Sequence, residues 1–338
     1  MAGADDDFEG LWAKYFDARE DVTLPSGDEN YTVHAFDFRG HGKTQTSRDD
    51  DLSMETLVHD TLDVLSRVIP PLPSPADPKT DADAALENPQ TVIVGHSLGG
   101  AVAVRVAATG QATSLVGVMV IDVVEGTALA SLKHMGVILD KRPSRFRSYK
   151  DAIHWGLHSG TVRNPDAADV SIPSQLMPLE DGSLVWRTDL ASSAKYWRGA
   201  SRVRCCVRAA AGPDWFIGLS EQFLALKEAK ILVLAGDTPW FGLDDNSSDR
   251  LDTALVRGQM MGKFELRLMY GSGHVIQEDC PDQVASAIME FCGRCARASS
   301  GDIFGLNGAS RQPTKDLILA ERLAKARAMI PKEGEHQG

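Results

Sequence analysis

Apolar residues along this chain follow two periods. Runs with little polar interruption, at residues 91–94 (TVIV), 115–121 (LVGVMVI), 229–235 (AKILVLA) and 264–269, predict buried strands. Residues 21–24, closed by the turn Pro25-Ser26-Gly27-Asp28, and residues 31–38 (YTVHAFDF) read as two earlier strands. Between strands the period lengthens. Ser53 caps a predicted helix with Met54, Leu57, Val58, Leu62, Leu65 and Val68 on its apolar side. An Ala/Val run after residue 99 fits a buried helix. Another starts at Pro281 and carries Val284, Ile288 and Phe291. Strands alternating with helices imply a mostly parallel sheet flanked by helices.

The rest of the chain is organised around that core. Phe8, Leu11, Trp12, Tyr15 and Phe16 fall at helical spacing and give residues 1–20 an amphipathic character. Residues 21–297 form the expected α/β domain. Residues 70–90, rich in Pro, Asp and Ala, read as an exposed linker within it. Residues 123–228 hold short helical pieces, clearest at 151–158 and 190–197, between two core strands, and predict a lid over a site. A polar tail follows at 298–338.

Composition narrows the function. With 338 residues and 43% hydrophobic content the chain holds a sizeable core. Its net charge of −12 argues against nucleic acid and anionic membranes as partners. No apolar stretch is long enough to span a bilayer, and MAGADDDFEG lacks a signal-peptide core. Five cysteines, an odd number without a framework spacing, point to a reducing compartment. Cys292-x-x-Cys295 falls in a predicted helix with no second pair and reads as ordinary helix cysteines.

The candidate chemistry sits at strand ends. Gly95-His96-Ser97-Leu98-Gly99 is a G-x-S-x-G match between a strand and a helix, the arrangement of a nucleophile elbow. Gly95 and Gly99 are expected to let strand and helix pass closely, and Ser97 Oγ to stand at the helix N-terminus. His274 follows another strand. A serine hydroxyl is a weak nucleophile until an imidazole takes its proton, and the imidazole needs a carboxylate to fix its tautomer. Asp122 ends residues 115–121, but Asp237 ends its own strand, and Asp244, Asp245, Asp249 and Asp252 follow. Spacing alone leaves Asp122, Asp237 and Asp249 open as the acid. Order along the chain, serine, acid, histidine, is that of α/β-hydrolases.

Several blocks resemble the protein phosphatase methylesterases: VIVGHSLGGAVAV, VIDVVEGTALASL, RPSRFRSYKDAIHWGLHSGTVRN, WRTDLASSAKYW, RGQMMGKFEL and GHVIQEDCPDQVA. They are scattered over most of residues 11–296, and IDVVEGTA is far more specific than the elbow. The resemblance implies an α/β-hydrolase fold and a triad of Ser97, Asp122 and His274. It implies hydrolysis of the methyl ester on the C-terminal leucine of the type 2A protein phosphatase catalytic subunit, in the cytoplasm or nucleus, with no metal or organic cofactor. The Leu98 N–H would be one oxyanion donor.

The chain also departs from that family. The family has a core strand, an HGGG-type loop and a helix before its RxHG segment. Here YTVH runs straight into AFDFRGHG, so one early core strand and the second oxyanion donor are missing between His34 and Ala35. Residues 198–213 and 238–248 look inserted. A splicing error or a distinct isoform would account for all three. The alternative function is therefore a catalytically impaired phosphatase-binding protein, or an aberrant gene-model product that lacks the oxyanion loop.

Overall fold

The computed structural model describes residues 31–42, 44, 46–69, 90–132, 134–197, 215–236 and 251–299. The chain divides into a unit of residues 1–296, treated below, and a second of residues 297–338. The expectations for residues 1–20, 21–24, 70–89, 198–213, 238–248 and 300–338 lie outside the described residues.

Among the described residues, four parallel strands make the main sheet. They are β1 (Thr91–His96), β2 (Leu115–Ile121), β5 (Ala229–Ala235) and β6 (Glu265–Met269), in the spatial order β1-β2-β5-β6. The uninterrupted apolar runs are explained by burial on both faces. Val118, Val120, Leu232 and Leu234 join the core under one layer of helices. Met119, Ile121, Ile231 and Val233 join the core on the opposite face. The first layer holds α1 (Met54–Val68), α2 (Leu98–Thr109) and, later in the chain, Leu219 and Phe223. Leu57 of α1 is fully buried there, so truncation to alanine would cost about 2–5 kcal/mol. The second face is covered through Ala287, Phe291 and Cys295, members of a long C-terminal helix that opens at Pro281.

Between β2 and β5 lies a region with its own small core of Phe146, Ala152, Val162, Ala168, Ile172, Leu176 and Leu184. It contains α3 (Glu125–Leu132), α4 (Met135–Asp140), α5 (Tyr149–His158) and α6 (Pro165–Ser174). An antiparallel hairpin, β3 (Leu176–Pro178) with β4 (Leu184–Trp186), follows. The predicted helix at 190–197 is a 3₁₀ turn, Leu190–Ser193, running into the short α7 (Ala194–Trp197). Further on come α8 (Leu219–Ala225), α9 (Thr253–Met260), α10 (Ile276–Asp279) and α11 (Pro281–Ser299). Among the described residues no helix is long and apolar enough to cross a membrane.

One expectation is overturned. Residues 31–38 carry no strand, and Val33 and Phe36 are 76% and 42% exposed. Alternating apolar positions make a strand only when a neighbouring strand takes up the backbone N–H and C=O groups. Among the described residues β1 pairs with β2 alone, and Val94 of β1 is 39% exposed. Among the described residues, no strand pairs with the other edge of β1. The chain after residue 38 is instead fixed to α1, where the Arg39 guanidinium donates two 2.6 Å bonds to the Asp60 carboxylate.

Candidate active site

The turn from β1 into α2 is built around the absence of side chains. A Cβ on Gly95 would lie 2.1 Å from the Gly99 carbonyl oxygen. The partner in that close approach is Gly100, whose Cβ would meet Val123 at 2.8 Å, while a Cβ on Gly99 would meet nothing within 4 Å. The second required glycine is therefore Gly100 rather than Gly99. Ser97 occupies the N-cap position of α2 with φ 50° and ψ −118°, a region costing about 1–3 kcal/mol for a residue with a side chain. Surrounding bonds hold it there. The Ser97 N–H donates to the Ile121 carbonyl at 2.9 Å, and its own carbonyl accepts from Gly100 and Ala101. Leu98, half-buried, opens α2, so its N–H points out of the helix N-terminus beside Ser97.

Asp122 follows β2 and is, among the described residues, the other non-glycine with positive φ, 52°. It is 1% exposed. Its N–H donates to the Val233 carbonyl at 2.8 Å, and its Oδ1 accepts from the Ala235 N–H at 3.1 Å, so β5 holds both its main chain and its carboxylate. That leaves Oδ2 facing His274, whose Nδ1 lies 2.8 Å away. The His274 Nε2 lies 3.2 Å from Ser97 Oγ. Ser97, Asp122 and His274, at the ends of three strands, are thereby brought into one hydrogen-bonded line.

His274 sits on the loop after β6, and three contacts fix that loop. Ser272, fully buried, donates from Oγ to the Met269 carbonyl at 3.0 Å. The Gly273 N–H donates to Asp279 Oδ2 at 2.6 Å, and the other carboxylate oxygen of Asp279 accepts from the Arg163 N–H at 2.7 Å. One carboxylate thus ties the histidine loop to the segment between α5 and α6, and Asn164 adds a 3.2 Å bond to the Glu278 carbonyl. Third, the His96 Nε2 lies 2.8 Å from the His274 carbonyl.

The other acids play different parts. Asp252 caps α9 by accepting from the Leu255 N–H at 2.9 Å, and it also bonds the Ser220 hydroxyl. Asp237, Asp244, Asp245 and Asp249 lie outside the described residues. Glu125 caps the head of α8, accepting from the N–H groups of Gly218 and Ser220 at 2.8 and 3.0 Å. His96, Glu125 and Asp279 were not read from the sequence as structural ligands, although each lies in a block quoted above, GHS, IDVVEG and GHVIQED. Among the described residues no three His, Cys, Asp or Glu side chains are grouped to hold a metal ion.

A serine in a strained strand-to-helix turn, backed by a histidine and a buried aspartate over a parallel sheet, defines a hydrolase of the α/β class. The model of the alpha/beta hydrolase family matches residues 8–287. A solved structure of E-2-(acetamidomethylene)succinate hydrolase shares the fold, with a TM-score of 0.52 at 18% identity over 76% of this chain and 80% of that one. Protein phosphatase methylesterase 1 of Bos taurus is 33% identical over 301 residues, 77% of this chain and 68% of the bovine one. The enzyme of that name from Cryptococcus neoformans is 38% identical over 287 residues, 80% of this chain. The chain belongs to the protein phosphatase methylesterase family. It spans 59% of the length of the Cryptococcus protein.

Proposed function

We propose that this chain is a serine carboxylesterase that removes the methyl ester from the C-terminal leucine of the type 2A protein phosphatase catalytic subunit. The observation that carries the reading is the line Ser97–His274–Asp122, with its 3.2 and 2.8 Å contacts, in a chain of this family. Ser97 Oγ attacks the ester carbonyl while His274 Nε2 takes its proton. Asp122 keeps the proton on Nδ1 and stabilises the imidazolium. The Leu98 N–H, at the head of α2, faces the developing oxyanion. His274 returns the proton to the departing methoxide, and methanol leaves. Water, deprotonated by His274, then attacks the acyl-serine, and the leucine carboxylate is released as Ser97 recovers its proton. None of these steps calls on a metal or organic cofactor. An odd number of cysteines supports a reducing location, cytoplasm or nucleus.

A second reading is favoured by the edge of β1 that no described strand pairs with. Residues 31–38 form no strand, so the described residues show no early strand leading into a glycine loop of the kind that carries the second oxyanion donor in such hydrolases. On that reading the chain binds the phosphatase with little turnover. A fluorophosphonate probe separates the two: labelling that depends on Ser97 supports the esterase, and no labelling supports the binding protein.

A further inference from the structure

His96 lies between the elbow glycine and the nucleophile, yet the ester chemistry described above does not use it. We propose that His96 is a positioning residue, holding the main chain of His274 so that the ring of His274 spans Ser97 and Asp122. The inference rests on the esterase reading of the site.

The contact determines its own chemistry. A carbonyl oxygen only accepts, so the 2.8 Å bond from His96 Nε2 to the His274 carbonyl requires the proton on Nε2. His96 ends β1, paired in register with Ile121, so the donor is mounted on the sheet and not on a loop. It pins His274 at its carbonyl, while Asp279 pins the preceding residue at the Gly273 N–H. The two anchors straddle the one residue whose ring must meet two partners at once. That ring is 36% exposed, and its side-chain nitrogens meet Asp122 and Ser97.

Neutrality completes the assignment. The two rings lie 4.7 Å apart, centroid to centroid. Burial, reinforced by the proximity of His274, pushes His96 down to about 4, with Asp122 as the opposing charge. His96 therefore remains an uncharged donor at neutral pH. It offers no like charge against the imidazolium that forms on His274 during turnover.

The test compares wild type with His96→Ala, His96→Leu and His96→Gln in the full chain. Glutamine reaches about as far and keeps an N–H donor; leucine fills the space without one. Two readouts are taken: the rate of fluorophosphonate labelling of Ser97, and the downfield proton resonance of the His274 Nδ1–H bonded to Asp122. We expect alanine and leucine to slow labelling by about 10- to 100-fold, the scale of a misplacement near 1 Å, and to lose or shift the resonance. Glutamine recovers most of both. Where alanine fails to fold, leucine and glutamine decide. Labelling and resonance unchanged in the leucine variant, or a glutamine variant as slow as leucine, would overturn the proposal. If wild type is not labelled at all, the esterase reading fails, and the resonance still decides: its loss in leucine and return in glutamine supports positioning, and its persistence in leucine refutes it.

Discussion

Asp122 Oδ2 stands 2.8 Å from His274 Nδ1 although 152 residues of chain separate them. The pairing is made by the sheet. β2 ends at Ile121, β6 ends at Met269, and β5 between them binds both the N–H and the carboxylate of Asp122. If this aspartate fixes the tautomer of His274, Asp122→Asn will lower turnover by roughly 10⁴-fold, as the wrong tautomer does in serine proteases. Asp237→Asn and Asp249→Asn will be far milder. Steady-state rates of the three variants check the assignment, and collapse in either of the latter with Asp122→Asn intact would reverse it.

The edge of β1 that no described strand pairs with carries a prediction about strength. A family-type strand and HGGG loop inserted between His34 and Ala35 will pair with β1 and supply a second oxyanion donor. Removal of one such donor typically costs about 10²–10³-fold, so the insertion is expected to raise demethylation by at least that factor. It will also raise the melting temperature, because the polar backbone groups along β1 gain partners. Equal rate and equal melting temperature in the two chains would show that another donor already completes the site.

Asp279 accepts from Gly273 and from Arg163, and so joins the histidine loop to the region between α5 and α6. Asp279→Ala leaves both N–H groups without that acceptor. A loss of about 1–3 kcal/mol in urea denaturation is expected, with slower labelling of Ser97. Asparagine keeps one acceptor oxygen and will fall between. An alanine variant with wild-type stability would show that water replaces the carboxylate.

Acid will expose His96. Its folded-state value of about 4 lies below the ordinary 6.5, so between those pH values the unfolded chain binds more protons than the folded one. Stability present above pH 6.5 is therefore lost as pH falls toward 4, by about 3 kcal/mol from this group. The groups facing it are His274 and Asp122. Glu278, raised by burial, titrates in wild type and variant alike. The stability curve of His96→Gln will be flatter than that of wild type across this window; parallel curves would mean that His96 takes up its proton without cost.

Much of this was legible in the sequence, for physical reasons that differ by element. Residues 115–121 and 229–235 gave strands with the observed bounds, because strands buried on both faces tolerate few polar residues, and Lys230 falls at the less buried start of β5. Ser53 and Pro281 marked helix starts through local chemistry, a hydroxyl that caps and a ring that pre-sets φ. Residues 31–38 misled because alternation describes a face and not a partner, and among the described residues no strand pairs with them. The β3–β4 hairpin was missed although Asp181-Gly182 is a turn signal, with Gly182 at φ 79°, because its strands are three residues long. At the site, the elbow announced Ser97, whereas His96 and Asp279 act on main-chain atoms of a distant loop. No periodicity encodes such contacts.

The most direct test of the account is demethylation of the methylated type 2A phosphatase catalytic subunit by this chain and by its Ser97→Ala variant. Release of the methyl group is followed together with mass-spectrometric mapping of a fluorophosphonate adduct. The account predicts slow demethylation with the adduct on Ser97, and loss of both in the alanine variant. Demethylation that persists undiminished without the Ser97 hydroxyl would contradict it.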